Sequence, residues 1–349
     1  MSLLIHSELL RRLPKAELHC HLDGSVRPST LLELGTEYRM PMPRDDVDSL
    51  RDYMRVDDAR SLEDYLARFD VTLGVMQTAD ALERIAYELS MDAAQDGVRY
   101  IEVRYAPVLN IKCGLSLGEA VEAPLRGLER AERDGGAIAR VIVCGLRHMT
   151  PEVSMELAQL AVAYKHRGVV GFDLAGGEYG NPAALHAAAF AYARENDLAC
   201  TCHAGEGADA SYVREAVHTC GADRIGHATR LIEDESLTQY VNDRRIALEI
   251  CLTSNVQTHA VESYHDHPFR RYYDRGMNVV LNTDNRLMSG TTLTDEYMHA
   301  ATYLGFTFDE LSKVALNGFA SAFLPWSERE KLLGAARTEI ASLKRGETR

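Results

Sequence analysis

A chain of 349 residues with 38 Lys+Arg against 52 Asp+Glu, a formal net charge of −14, is long enough to bury a large core. It shows no basic stripe that would meet a nucleic-acid backbone or an anionic lipid surface. Its seven cysteines are odd in number and scattered among apolar neighbours, which fits a reducing cytoplasm better than a disulfide framework. There is also no basic-then-apolar leader and no run approaching about 18 apolar residues, so a single cytoplasmic domain over 1–349 without membrane spans is expected.

Short apolar, β-branched runs alternate with longer segments of helical periodicity. In chain order the strands are read at 17–22 (ELHCHL), 99–105 (RYIEVRY), 140–146 (RVIVCGL), 169–174 (VVGFDL), 199–203 (ACTCH), 224–228 (RIGHA), 246–252 (IALEICL) and 278–283 (NVVLNT). Eight such β/α units predict an α/β fold of the (β/α)₈ barrel type, whose sites lie at the C-terminal ends of the strands. The roughly 75 residues after the first strand exceed one crossover, so additional helices, and the place for a lid, are expected there. Helix punctuation supports the intervening segments. Ser116 and Glu119 form a capping box, Thr150-Pro151 and Asn181-Pro182 read as N-cap plus first-turn proline, and Gly97, Gly168, Gly221 and Gly276 stand at C-terminal stops. Residues 326–349, following Pro325, read as a solvated tail helix.

The polar residues fall where a barrel keeps its chemistry. In the stretch KAELHCHLDGS (15–25), His19 and His21 share one face of an extended strand, about 7 Å apart, while Cys20 points to the other. The fifth strand ends at His203 with Glu206 in the loop beyond, the sixth at His227, and the eighth at Asp284-Asn285. Four of the thirteen histidines thus stand on one face with an acid. Three His and one Asp suit Zn²⁺, or less selectively Fe²⁺ or Mn²⁺, with a position left open for a water whose pKa is brought toward neutrality. Asp284 can also accept a hydrogen bond from the attacking water, and His227 can serve as base or electrostatic partner. Glu206 becomes a general acid if burial raises its pKa.

Six segments in order, LHCHLDGS, DLAGGE (173–178), HAGE (203–206), RIGHA (224–228), SNVQT (254–258) and NTDN (282–285), resemble the adenosine deaminase family of the amidohydrolase superfamily across residues 10–325. The resemblance implies one Zn²⁺ per chain, held by His19, His21, His203 and Asp284, and hydrolysis of adenosine and 2′-deoxyadenosine to their inosine counterparts and ammonia. It implies that Glu206 protonates purine N1 and that His227 orients and deprotonates the water. Gly176 N–H would meet N3, and Asp23 a ribose hydroxyl. Two positions depart from the family pattern. Asn285 stands where a second Asp is common; its amide still carries N–H groups for N7. Gly177 stands where an acidic residue is common, removing one charge beside the sugar site. The partners implied are a purine nucleoside and water, with oligomeric state left open.

Other polar groups are assigned to support. Glu102 and Arg104 share a strand face, which predicts a buried ion pair bracing the barrel. Glu249 is expected to back up a site residue, and His265 and His267 to lie on a helix surface without function. The alternatives within the class are deaminases of 6-aminodeoxyfutalosine, methylthioadenosine, adenine or AMP, and an AMP enzyme would want Arg or Lys near the ribose site. A two-metal hydrolase would want a bridging modified Lys or carboxylate near the fourth and fifth strands, and the fourth ends Gly171-Phe172-Asp173-Leu174 with no Lys. A catalytically dead binding protein would have lost a ligand or Glu206, and none is missing.

Overall fold

In the computed structural model of the protein, which describes residues 4–57 and 68–346, the eight predicted strands pair side by side in chain order. They are β1 (Lys15–His21), β2 (Val98–Tyr105), β3 (Ile138–Leu146), β4 (Val169–Ala175), β5 (Ala199–Ala204), β6 (Arg224–His227), β7 (Ala247–Ile250) and β8 (Val279–Leu281), every neighbouring pair parallel. This is the (β/α)₈ barrel that the alternation of runs predicts. The last two strands are shorter than read. After Ile250 the chain enters a helix, Leu252–Gln257, and after Leu281 its polar residues turn to closing the ring.

Closure between β8 and β1 uses few main-chain bonds. Asn282 Oδ1 accepts from Leu18 N–H at 2.7 Å and His19 N–H at 3.1 Å. The main chain of Asp284 completes the seam: its C=O accepts from His21 N–H at 2.7 Å and its N–H donates to His19 C=O at 3.0 Å.

The long segment after β1 supplies the extra helices Pro28–Glu37, Val47–Met54 and Phe69–Val75 ahead of Ala79–Gln95. Most helix signals hold. Ser116 and Glu119 form a reciprocal capping box, and Gly97, Gly168, Gly221 and Gly276 all adopt positive φ. Asn181 is not a helix cap. Pro182 opens only a short 3₁₀ turn, Ala183–His186, and the Asn181 amide donates to Gly177 C=O instead. The tail helix, Trp326–Lys344, is solvated on one side only: Leu333 and Ala336 pack with Ala16, Leu18, Tyr100 and Val280 under the N-terminal ends of the strands. No helix among the described residues is long and apolar enough to cross a membrane.

Inside the ring a column of alternating charges rises toward the strand C-termini. Glu102 and Arg104 are both buried as expected, but they pair with other strands and not with each other. Glu102 meets Arg224 of β6; Arg224 also meets Glu249 of β7 at 2.6 Å; Arg104 meets both Glu249 and Asp173 of β4 at 2.9 Å. A charge out of water is tolerated only when paired and hydrogen-bonded, so removing one member of this column leaves its partner stranded, at a cost of about 3–5 kcal/mol. The upper members of the column hold the site.

Candidate metal centre

β1 presents His19 and His21, β5 presents His203, and the turn after β8 presents Asp284. One ligating atom from each of the four lies within 4.8 Å of the others, the grouping read from the sequence. His21 Nε2 and His203 Nε2 are 3.1 Å apart, and Asp284 Oδ1 lies 3.3 Å from His19 Nε2 and 3.4 Å from His21 Nε2. The far nitrogens of two rings are fixed from below. His19 Nδ1 donates to Glu249 Oε2 at 2.9 Å, and His203 Nδ1 to Asp173 Oδ1 at 3.2 Å. Each carboxylate therefore keeps the proton on Nδ1 and turns a lone pair on Nε2 toward the centre, the arrangement that orients histidines on a metal.

A divalent metal fits these residues. His19 Nε2 is buried with no hydrogen-bond partner, and beside it His21 Nε2 approaches both the same carboxylate oxygen of Asp284 and His203 Nε2. Such a convergence of acceptors suits a cation, and three nitrogens with one oxygen are the donors of an open catalytic site. Asp284 has its other oxygen, Oδ2, bonded by Ser254 Oγ at 2.7 Å. Burial pushes its carboxyl up, but the close approach of His19 and the neighbouring histidines outweighs this and holds it well below the usual range. Asp284 and His227 both sit at positive φ, 61° and 63°, where the chain turns sharply off its strand to aim each side chain across the barrel mouth.

A cavity of about 260 Å³ opens above this centre. Its floor holds His21, His203, His227, Glu206 and Asp284; its walls are the apolar Ala106, Leu109, Cys144, Leu146 and Ala175; and Phe69, Asp70 and Leu73 of the helix Phe69–Val75 lie over it. The remaining residues read from the sequence, Asp23, Gly176 and Asn285, line the same space. Gly176 stands at φ 94°, a backbone that a side chain would strain. Gly24 gives Asn285 its place, since a Cβ there would lie 1.8 Å from Asn285 Oδ1. Burial raises the Asp23 carboxyl to about 7.

Glu206 is buried, and burial raises its carboxyl well above the usual value, reinforced by the charges of Asp284 and Glu178. Its Oε2 lies 3.5 Å from His227 Nε2. The loop that carries it is clamped from outside. Glu178 accepts from four consecutive main-chain N–H groups, Gly205 at 2.7 Å, Glu206 at 2.9 Å, Gly207 at 2.8 Å and Ala208 at 3.1 Å. Glu178 lies two residues beyond Gly176, so one carboxylate ties the turn bearing Gly176 to the loop bearing Glu206.

The sequence reading assigned no role to Glu178, Asp173, Ser254 or Asn255, although each lies inside a quoted segment. Glu249 was expected as a supporting group, and it bonds His19. His267 is the correction. It is buried, 2% exposed, and lies in the turn before a short helix, Phe269–Asp274; His265 is exposed as expected. No periodicity marks the difference, because His265 lies in a single 3₁₀ turn, Tyr264–Asp266, and His267 just past its end.

A family model described as adenosine deaminase matches residues 14–338. The chain is 42% identical over 344 residues to the adenosine deaminase of Mycobacterium sp. (strain JLS), covering 93% of this chain and 94% of that protein. It is 42% identical over 318 residues to a probable adenosine deaminase of Dictyostelium discoideum, covering 91% of this chain but 41% of that protein, so it spans less than half of that relative's length. Among solved structures, an adenine deaminase from Arthrobacter aurescens superposes with a TM-score of 0.87 at 27% identity, covering 94% of this chain and 99% of that one. An amidohydrolase from Burkholderia ambifaria with bound Zn gives 0.88 at 26%, covering 99% and 96%. The N6-methyl-AMP deaminase from Arabidopsis thaliana gives 0.84 at 29%, covering 95% and 98%.

Proposed function

Since the chain belongs to the adenosine deaminase family, and is thus a hydrolytic aminohydrolase of small-molecule purines, we propose that it converts adenosine and 2′-deoxyadenosine to inosine and 2′-deoxyinosine, releasing ammonia, with one Zn²⁺ per chain. The observation that carries this reading is the convergence of His19, His21, His203 and Asp284 beneath a cavity into which Glu206 and His227 also face. When bound by those four residues, zinc supplies Lewis acidity that makes a water easy to deprotonate near neutral pH.

The protein's own groups do the rest. Glu206, kept protonated by burial, gives its proton to purine N1, which ends the ring's aromaticity and leaves C6 electron-poor. The ionised Asp284 takes a proton from the water as the C6–O bond forms. That proton passes to the exocyclic amine, the C6–N bond breaks and ammonia leaves, while the new hydroxyl returns a proton to Glu206. Gly176 N–H meets N3, the Asn285 amide donates to N7 and Asp23 binds a ribose hydroxyl. The lining supports a nucleoside over a nucleotide: among the described residues it holds Asp23 and Asp70 but no Lys or Arg to meet a phosphate. The seven free cysteines, six of them buried, support a reducing, cytoplasmic setting.

The test compares kcat/KM of the zinc-loaded enzyme for adenosine, adenine and AMP in parallel by ultraviolet absorbance. Adenosine is expected to reach about 10⁵–10⁷ M⁻¹s⁻¹, with the other two at least about tenfold lower. Faster turnover of either overturns the substrate assignment.

A further inference from the structure

Three hydrogen bonds outside the ligand set run from a loop to His227, and their direction is fixed at one end. Phe269 N–H lies 3.0 Å from His267 Nδ1. A main-chain N–H can only donate, so that ring nitrogen carries its lone pair and the proton of the neutral ring is on Nε2. Burial keeps the ring neutral, pushing His267 down to about 3. His267 Nε2 lies 3.1 Å from Asn255 Oδ1, a donor meeting an acceptor. The other end of that amide, Nδ2, can only donate, and it lies 2.9 Å from His227 Nδ1. His227 Nδ1 therefore holds a lone pair, and its proton is on Nε2, the atom facing Glu206. Reversing the relay would require the nitrogen of Phe269 to accept a hydrogen bond, which an amide nitrogen does not do. The single main-chain donor thus sets both the orientation of the Asn255 amide and the tautomer of His227.

We propose that Asn255 and His267 are positioning residues that lock His227 in its Nε2–H tautomer, so that His227 meets the reacting centre as a hydrogen-bond donor and does not take the proton from water. A ring with Nδ1 occupied by an amide donor and Nε2 already protonated has no free lone pair to serve as a base. A donor there stabilises the negative charge that gathers on the oxygen as it bonds to C6. The water's proton goes to Asp284, and the proton balance of the reaction is unchanged. The base role that the family resemblance implied for His227 is replaced by this one. The inference rests on the reading of His227 as part of the reactive centre, and the experiment separates the two.

Nitrogen-15 spectra of histidine-labelled, zinc-loaded enzyme read the tautomer directly, with the His227 signals identified by their loss in His227→Gln. The expected result is a bare Nδ1 and a protonated Nε2. Asn255→Asp offers oxygen acceptors to both rings and should move the His227 proton to Nδ1. Its kcat is expected to fall about 10²–10⁴-fold, with KM changed less than about threefold. His267→Gln keeps an N–H for Asn255 Oδ1 and should hold kcat within about tenfold, whereas His267→Phe, which frees the amide to turn, should not. A role in folding alone would lower Tm in both His267 variants without separating their kcat values. A wild-type spectrum with the proton on Nδ1 overturns the proposal even if Asn255→Asp fails to fold. So does Asn255→Asp turning over at the wild-type rate while His227→Ala is inactive. Full activity in His227→Ala would instead remove the reading beneath it, leaving the tautomer as measured.

Discussion

Glu206 must be both protonated and correctly aimed to act as an acid, and different groups meet the two needs. Burial and the nearby charges of Asp284 and Glu178 keep its proton on. Its position comes from the four main-chain N–H groups that Glu178 gathers. Glu206→Gln keeps the shape and removes the proton to be given; kcat is expected to fall about 10²–10⁴-fold with metal content and Tm unchanged, and near-wild-type turnover would reject the assignment. Glu178→Gln turns an amide NH₂ toward those four donors. It should cost about 1–3 kcal/mol of stability, read as a lower Tm, together with a drop in kcat that exceeds any change in KM. Loss of stability with kcat intact would show that the loop holds Glu206 without the clamp.

Contacts between elements set a pH dependence of their own. Glu296, on the helix Leu293–Leu304, accepts from Thr253 of the helix Leu252–Gln257 and from Thr291 at 2.9 Å, and burial raises its carboxyl to about 7. The folded state therefore binds this proton more tightly than the unfolded chain does. Its contribution to stability is full below the ordinary value of 4.5 and is lost as pH rises through about 7. Glu296→Gln keeps acceptor and shape without the charge. It should raise Tm at pH 8 (about 3 kcal/mol at most) and leave Tm unchanged at pH 4.5; a variant with the wild-type slope would contradict this. The strands were legible because β1 to β6 are short, largely apolar runs set off by polar loops. The ends of β7 and β8 were not, because Asn282 is spent on closing the ring and the segment SNVQT lies in the helix Leu252–Gln257 that brings Ser254 to Asp284 and Asn255 to His227. The ligand set was legible because each member lies near or just beyond the C-terminal end of a strand. Glu178, Asn255 and His267 were not, since each acts on a residue 27 to 30 or 12 positions away through a contact that no local spacing encodes.

At the scale of the whole molecule, residues 19 and 284 bring opposite ends of the fold to one point. A metal there is a cross-link between the first strand, the fifth and the segment after the eighth. Binding only to the folded state, it should add about 4 kcal/mol at a free concentration about 1,000 times its Kd. Chelation is accordingly expected to abolish activity and lower Tm by several degrees, with zinc restoring both; a Tm indifferent to chelator would exclude a structural share for the metal. The seam has a different consequence, for descent. Its bonds use the main chain of residue 284 and the side chain of Asn282, whereas the chemistry uses the side chain of residue 284. A lineage can therefore exchange that side chain, and with it metal or reaction, while the ring stays shut. Asn282, silent in the reaction, is the position where such drift would break the scaffold first.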